Sequence, residues 1–229
     1  LGLSPQQVTI EGEAILQWQM AGLMIGGIIA GVIADKKGRI TVLFGSILFY
    51  SLANIANGMV TTVEQYKLIR FLAGIGLAGE LGVGITLVSE LISKEKRGIA
   101  TSFVAGIGLT GAVVAFIMKE NFNWRTCYYI GGGLGLLLLV LRISVFESGM
   151  FKMVKQMDVQ RGNFFMLFTN KERFKKYLTS ILIGLPTWFV IGILVAFSNE
   201  FGKRMGIQEN IDPGKAIMYA YVAISIGDI

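Results

Sequence analysis

Residues 70–90 read RFLAGIGLAGELGVGITLVSE, an apolar and glycine-rich run that carries Arg70 and Glu80 inside it and closes on Glu90. Gly74, Ala78 and Gly82 recur every four residues, which on a helix makes one smooth face against which another helix can pack closely. A soluble helix of this length would scatter charges along a polar face. Here the charges collect between long runs. Ala14–Ala34, Ile40–Val63, Gly98–Met118 and Tyr177–Asn199 hold no Asp, Glu, Lys or Arg. Each is long enough for a hydrocarbon core of about 30 Å, which needs roughly 20 helical residues. Two further spans are interrupted, Gln65–Glu90 by Arg70 and Glu80 and Thr126–Phe146 by Arg142, and a seventh run, Ala216–Ile229, stops short. With 53% hydrophobic residues, 16% charged residues and a mean hydropathy of +0.63, the expectation is an all-α polytopic membrane protein. The chain opens on Leu1 and closes within an apolar run, so it is expected to be a fragment with about six spans and part of a seventh.

A net charge of +6 and a pI near 9.4 would suit nucleic acid, but the placement of the charges fits a membrane face. If the spans alternate, one side collects thirteen basic residues: Lys36, Lys37, Arg39, Lys94, Lys96, Arg97, Lys152, Lys155, Arg161, Lys171, Arg173, Lys175 and Lys176. The other side holds Lys119, Arg125, Lys203, Arg204 and Lys215. The positive-inside rule makes the first set cytoplasmic and starts the chain outside. Residues 148–176 mix methionine and phenylalanine with basic residues, as short helices at a membrane interface do, and read as a cytoplasmic interfacial linker. The other reading of that stretch is a regulatory target for a calmodulin-like partner. One cysteine, Cys127, and no histidine exclude disulfide frameworks, zinc sites and Cys/His catalytic pairs from this stretch of chain. Gly106–Gly111 spells GxGxxG, yet it lies inside an uncharged run with no preceding strand and is read as helix packing.

The turn Gly31-Val-Ile-Ala-Asp35-Lys-Lys-Gly38-Arg39 ends one helix and begins the next. Gly38 permits the reversal, Asp35 and Arg39 are close enough to pair, and Gly27 and Gly31 are expected to let helices approach. This turn resembles the cytoplasmic GxLaDrxGrr signature of the major facilitator superfamily, with Ile33 in the Leu place. Residues 70–90 look like the RxxxGxGxG fourth helix of the same superfamily. Glu90 followed by Arg97 and Gly98 matches the ExxxxxxRG ending of sugar porters and their relatives, and the Ala78-Gly79-Glu80 element before it resembles the branch of metabolite and organic-ion symporters. Glu147-Ser148 resembles the PES element of sugar porters, with Phe146 and Met150 where Pro and Arg would stand, which weakens a sugar assignment.

The resemblance implies the major facilitator fold: residues 1–147 as an N-terminal bundle lacking its first helix, 148–176 as the linker, and 177–229 as the start of the C-terminal bundle. It implies a multi-pass protein of a plasma or bacterial inner membrane, a monomer, with a small-molecule substrate, protons and the lipid bilayer as partners. No enzyme activity, cofactor, metal or nucleic acid is expected. The implied activity is secondary active transport of a small polar or ionic metabolite by alternating access, with proton-coupled symport. Glu80 is the candidate coupling or substrate-binding acid, with a static ion pair as the other reading. Arg70 is the candidate contact for an anionic substrate, or it snorkels to the outer headgroups. Gln17, Gln19, Asn54 and Trp188 are candidates to line the cavity, although helix contacts use the same residue types. Asp35, Gly38, Arg39, Glu90, Arg97 and Glu147 are read as a conformational latch at the cytoplasmic helix ends. A rival from another class is a non-transporting receptor or trafficking scaffold of the same fold. The orientation is open to direct test: cysteines at Ser4 or Thr61 should react with an impermeant maleimide from outside, and one at Lys37 should not. Reversed labelling would invert the topology.

Overall fold

The computed structural model describes residues 4–142 and 161–228. Glu147 and residues 148–160 of the expected linker lie outside them. The described elements are all helical: α1 Pro5–Lys37, α2 Arg39–Met59, α3 Val63–Leu91, α4 Arg97–Leu109, α5 Gly111–Asn121, α6 Trp124–Leu141, α7 Met166–Thr169, α8 Lys171–Phe189, a π-helical turn Val190–Val195, α9 Ser198–Arg204 and α10 Pro213–Asp228. Six stretches are long and apolar enough to cross a membrane: Gln7–Lys37, Arg39–Met59, Val63–Leu91, Arg97–Asn121, Trp124–Leu141 and Lys171–Val195.

Local chemistry sets the helix ends. Ser4 caps α1 and Thr62 caps α3, each in a reciprocal capping box with a glutamine three residues on, Gln7 and Gln65. Asn123 and Asn170 accept backbone N–H bonds at the starts of α6 and α8. Between α1 and α2 the chain reverses at Gly38, whose φ of 110° is one that side-chain-bearing residues rarely adopt. The fourth span is not one continuous helix as the uncharged run suggested. It breaks at Thr110, whose hydroxyl bonds the Ile107 carbonyl at 2.6 Å and competes with the helical ladder. The span through α8 holds Pro186 within it, just ahead of the π-helical turn; proline removes one backbone donor from the ladder.

By contact the chain divides into two compact units, residues 1–97 with 122–163, and residues 98–121 with 164–229. In the first, α3 lies between α1 and α2, and α2 also packs on α6. Its core is Ala30, Ala34, Val42, Leu43, Ile47, Val83 and Leu87. Ser51 and Asn57 on α2 are also fully buried. Large apolar side chains such as Met24, Leu81 and Leu137 face outward, as expected of helices whose solvent is lipid. Gly162, at a φ of 62°, lies against the Val32 carbonyl and the Lys36 side chain on α1. The second unit joins α4 and α5 to α7–α10, with α10 against α5. Phe164, Phe168, Phe174 and Tyr177 cluster where α8 begins.

Of the glycines expected to let helices approach, Gly74 does bring α1 and α3 together, whereas Gly27, Gly31 and Gly82 do not. Gly22 and Gly26 of α1 sit on the backbone of Phe71 and Ile75, and Gly74 of α3 sits on the Gln19 carbonyl. Gly27, Gly31 and Gly82 have open space where a side chain would be. The physical reason is azimuth: one position along a helix is about 100° of rotation, so Gly26 meets the neighbouring backbone while Gly27 turns away from it. A matched pair of substitutions tests this. Gly26→Ala, whose Cβ would lie 2.5 Å from the Ile75 carbonyl oxygen, should cost about 1–3 kcal/mol and lower the detergent melting midpoint. Gly27→Ala should leave it unchanged or slightly raised, because alanine favours helix and nothing is displaced.

Candidate functional site

Charged and polar side chains of the first unit gather at three depths. At the turn between α1 and α2, Arg39 leaves the first turn of α2 and holds three helices. Its Nη2 lies 2.9 Å from Glu90 Oε1 and 3.4 Å from Asp35 Oδ1, its Nε donates to Glu90 at 3.0 Å, and its Nη1 donates to the Ala34 carbonyl at 3.1 Å. The Arg39 and Glu90 side chains are only 16% and 11% exposed, so this is a largely desolvated, multiply bonded ion pair rather than a surface one. Arg97 points its guanidinium at the Ile92 carbonyl just beyond the end of α3, at 3.5 Å. Four of the six residues expected at the latch, Asp35, Gly38, Arg39 and Glu90, therefore meet at one turn; Arg97 borders the C-terminal end of α3, and Glu147 is not described. Beside this cluster lies an open groove of about 260 Å³ between α1 and α3, lined by Gly27, Gly31, Gly82 and Thr86. The glycines with no helix against them are the walls of this groove.

In the middle of α3, Glu80 faces two partners. Its Oε1 lies 3.6 Å from Arg142 Nη1, at the end of α6, and the Tyr50 hydroxyl of α2 lies near its carboxyl group. The Glu80 and Arg142 side chains are 22% and 32% exposed. Helix α2 is held with Tyr50 near Glu80 by two contacts, Gly76 under Tyr50 and Gly79 under Ser46. On α6, Gly135 lies against Ser51 and Gly132 against Ile55, which draws the end of that helix toward α3. The ion-pair partner of Glu80 comes from α6. Sequence reading had noticed Arg142 inside a span but had not paired it, and the signal was that Arg142 and Glu80 are opposite charges in two otherwise apolar spans.

Toward the outer end, Arg70 lies about two turns inside α3 with its guanidinium carbon 5.7 Å from the Tyr128 ring centre. Its buried Nε has no hydrogen-bond partner among the described residues. The Tyr66 and Tyr128 hydroxyls bond each other, and Trp124 packs edge-on to Tyr128 and tilted to Tyr66. Arg125 stacks 4.4 Å over Trp124 and donates to the Val60 carbonyl just beyond the end of α2. Lys67 ties α1 to α3 through Glu11 at 2.8 Å and also bonds Glu64. Neither Lys67 nor Glu11 had been singled out from the sequence.

Of the cavity candidates, Gln17 is exposed, Asn54 is half-buried, and Gln19 is half-buried with its side-chain oxygen buried and unbonded among the described residues. Trp188 lies on α8 in the other unit and is 63% exposed. Asn57, one turn beyond Asn54, is fully buried with both amide atoms lacking a partner among the described residues; the sequence carried no signal to prefer it over Asn54. Among the described residues no group of three His, Cys, Asp or Glu side chains converges to hold a metal.

Comparison with known proteins gives the family. The chain is 28% identical over 190 residues to a protein of Cupriavidus pinatubonensis named "Probable 4-methylmuconolactone transporter", covering 80% of this chain and 44% of that protein. It is 33% identical over 146 residues to the 4-hydroxybenzoate transporter PcaK of Pseudomonas putida, covering 62% of this chain and 33% of that one. The chain thus spans about half the length, or less, of the curated relatives it matches. The structure of the xylose transporter XylE from E. coli, in its inward-open conformation, superposes with a TM-score of 0.53 at 19% identity, over 94% of this chain and 55% of that one. That likeness is one of fold. A family model matches residues 1–227, and the chain belongs to the Major Facilitator Superfamily.

Proposed function

We propose that this chain is part of a secondary active transporter that moves a small organic acid or similar polar metabolite by alternating access, with proton symport coupled at Glu80. The observation that carries the reading is the Glu80, Arg142 and Tyr50 constellation inside the membrane span. A carboxylate and a guanidinium in a low-dielectric interior attract strongly while both are charged, and a proton on the carboxyl abolishes that attraction. Protonation therefore releases Arg142, at the end of α6, from Glu80 on α3. This is the kind of differential contact between two states that lets a proton bias a conformational equilibrium. Arg70 supplies the fixed positive charge that a carboxylate substrate needs, and its unbonded Nε supports that role. The relatives named for a lactone and for 4-hydroxybenzoate support an oxygen-rich, ring-bearing organic acid as the substrate class.

At the cytoplasmic turn, Arg39 can hold Asp35 and Glu90 in one state and release them in the other, as a latch that stabilises one state of the transport cycle. Asp35→Asn should then lower the maximal transport rate several-fold while changing equilibrium substrate affinity by less than about twofold. Equal losses in both would leave Asp35 with a purely architectural role.

Glu80→Gln separates coupling from binding. Glutamine keeps the shape and hydrogen-bonding capacity of the protonated acid, so proteoliposomes should lose uphill accumulation under an imposed pH gradient yet retain counterflow exchange of labelled 4-hydroxybenzoate. A variant that still concentrates substrate like the parent protein removes Glu80 from coupling and leaves it a static ion pair with Arg142. Loss of both activities in folded protein points to direct substrate contact instead.

A further inference from the structure

Within the second unit, the membrane span that begins at Lys171 opens on charges that a helix standing alone would not choose. Four of the first six residues of α8 are cations, Lys171, Arg173, Lys175 and Lys176, and all four side chains are exposed. The one anion among the six is Glu172, so four cations against one anion leave three positive charges. The first turns of a helix carry the positive end of its dipole, which favours carboxylates and opposes ammonium and guanidinium groups. Local bonding offsets little of this. Glu172 pairs with Lys176 at 2.8 Å in solvent, and the Asn170 side chain accepts the Glu172 and Arg173 N–H groups. Lys171, Arg173 and Lys175 have no ion-pair partner among the described residues.

Beside these cations lies an apolar surface. The Phe168 ring centre stands 5.5 Å from Phe164, 5.9 Å from Phe174 and 6.2 Å from Tyr177, and Phe165 adjoins Phe164 at 6.1 Å. Phe165 and Phe168 are 75% and 51% exposed. Exposed rings next to exposed cations, at the mouth of a span, suit the boundary between headgroups and acyl chains. The placement of the cations decides between a lipid layer and a soluble anion. Each step along a helix turns a side chain by about 100°, so Lys171, Arg173 and Lys176 leave α8 in different directions. One small anion can meet one side of such a collar; a layer of anionic headgroups meets all of it. We infer that the start of α8 is a binding surface for anionic phospholipid, in which the cationic collar holds headgroup phosphates and the phenylalanine cluster enters the acyl boundary beside them. The lipid supplies the negative charge that the sequence leaves out of the first turns of α8.

The test extracts the full-length protein from vesicles of phosphatidylcholine and phosphatidylglycerol in equal parts. Mass spectrometry then measures which lipid stays with it through purification. The parent should retain phosphatidylglycerol in preference, and Arg173→Gln with Lys175→Gln should lower that preference about five- to tenfold. Both side chains are exposed, and Lys171→Gln with Lys175→Gln repeats the test should Arg173→Gln disturb folding. Lys203→Gln with Arg204→Gln removes the same charge from exposed positions on α9 and should change the preference by less than about twofold. Equal losses in the two kinds of variant reduce the effect to net charge and overturn the site. A parent that retains both lipids alike overturns it as well. A preference abolished by excess inorganic phosphate assigns the collar to a soluble anion and overturns the lipid.

Discussion

The first unit depends on the backbone of α1 lying against the backbone of α3. In lipid, burying leucine gains little, because the acyl chains are as apolar as the side chain; helices associate through close van der Waals contact and internal polar bonds. Gly22, Gly26 and Gly74 allow that contact at three successive points along the pair. It sets the axial register of α3, and register decides which of its side chains reach α2. Gly76 and Gly79 then seat Tyr50 and Ser46, and Tyr50 reaches Glu80. Through Ser51 the same α2 surface receives Gly135, and α6 brings Arg142 to the same carboxylate. The position of the central acid and its partners thus follows from where the chain has no side chain.

Along the membrane normal, the charged groups of this unit differ in how they are satisfied, and the difference separates their roles. At the cytoplasmic turn Arg39 is nearly saturated, with two carboxylates and a carbonyl, and truncating one partner of such a desolvated pair typically costs about 3–5 kcal/mol. In the centre, Glu80 and Arg142 are 3.6 Å apart and partly exposed, a looser contact that a proton can undo. Near the outer end Arg70 has the Tyr128 ring and no hydrogen bond at its Nε. Bonding thus loosens from the cytoplasmic turn to the outer face.

Much of this was legible from residue order because the bilayer imposes a long-wavelength pattern. Uncharged runs of about 20 residues mark spans through transfer free energy, and lysine and arginine in alternate connections mark orientation. The Asp35, Gly38 and Arg39 turn was also legible, since its members are neighbours in sequence and a tight turn leaves them no other geometry. The break at Thr110 was not, because a hydroxyl bond to the previous turn leaves hydropathy unchanged.

Residue order alone therefore determined that the chain is helical, that it is a multi-pass membrane protein and that it carries an acid inside its third described span. Only the tertiary structure decided that Glu80 meets Arg142 and Tyr50, that Lys67 holds Glu11, that Asn57 rather than Asn54 is fully buried, and that Gly26 packs while Gly27 lines a groove. The reason is geometric. Span and sidedness depend on sums over many residues, whereas pairing between helices depends on rotation and register, and one residue of offset turns a side chain by about 100°.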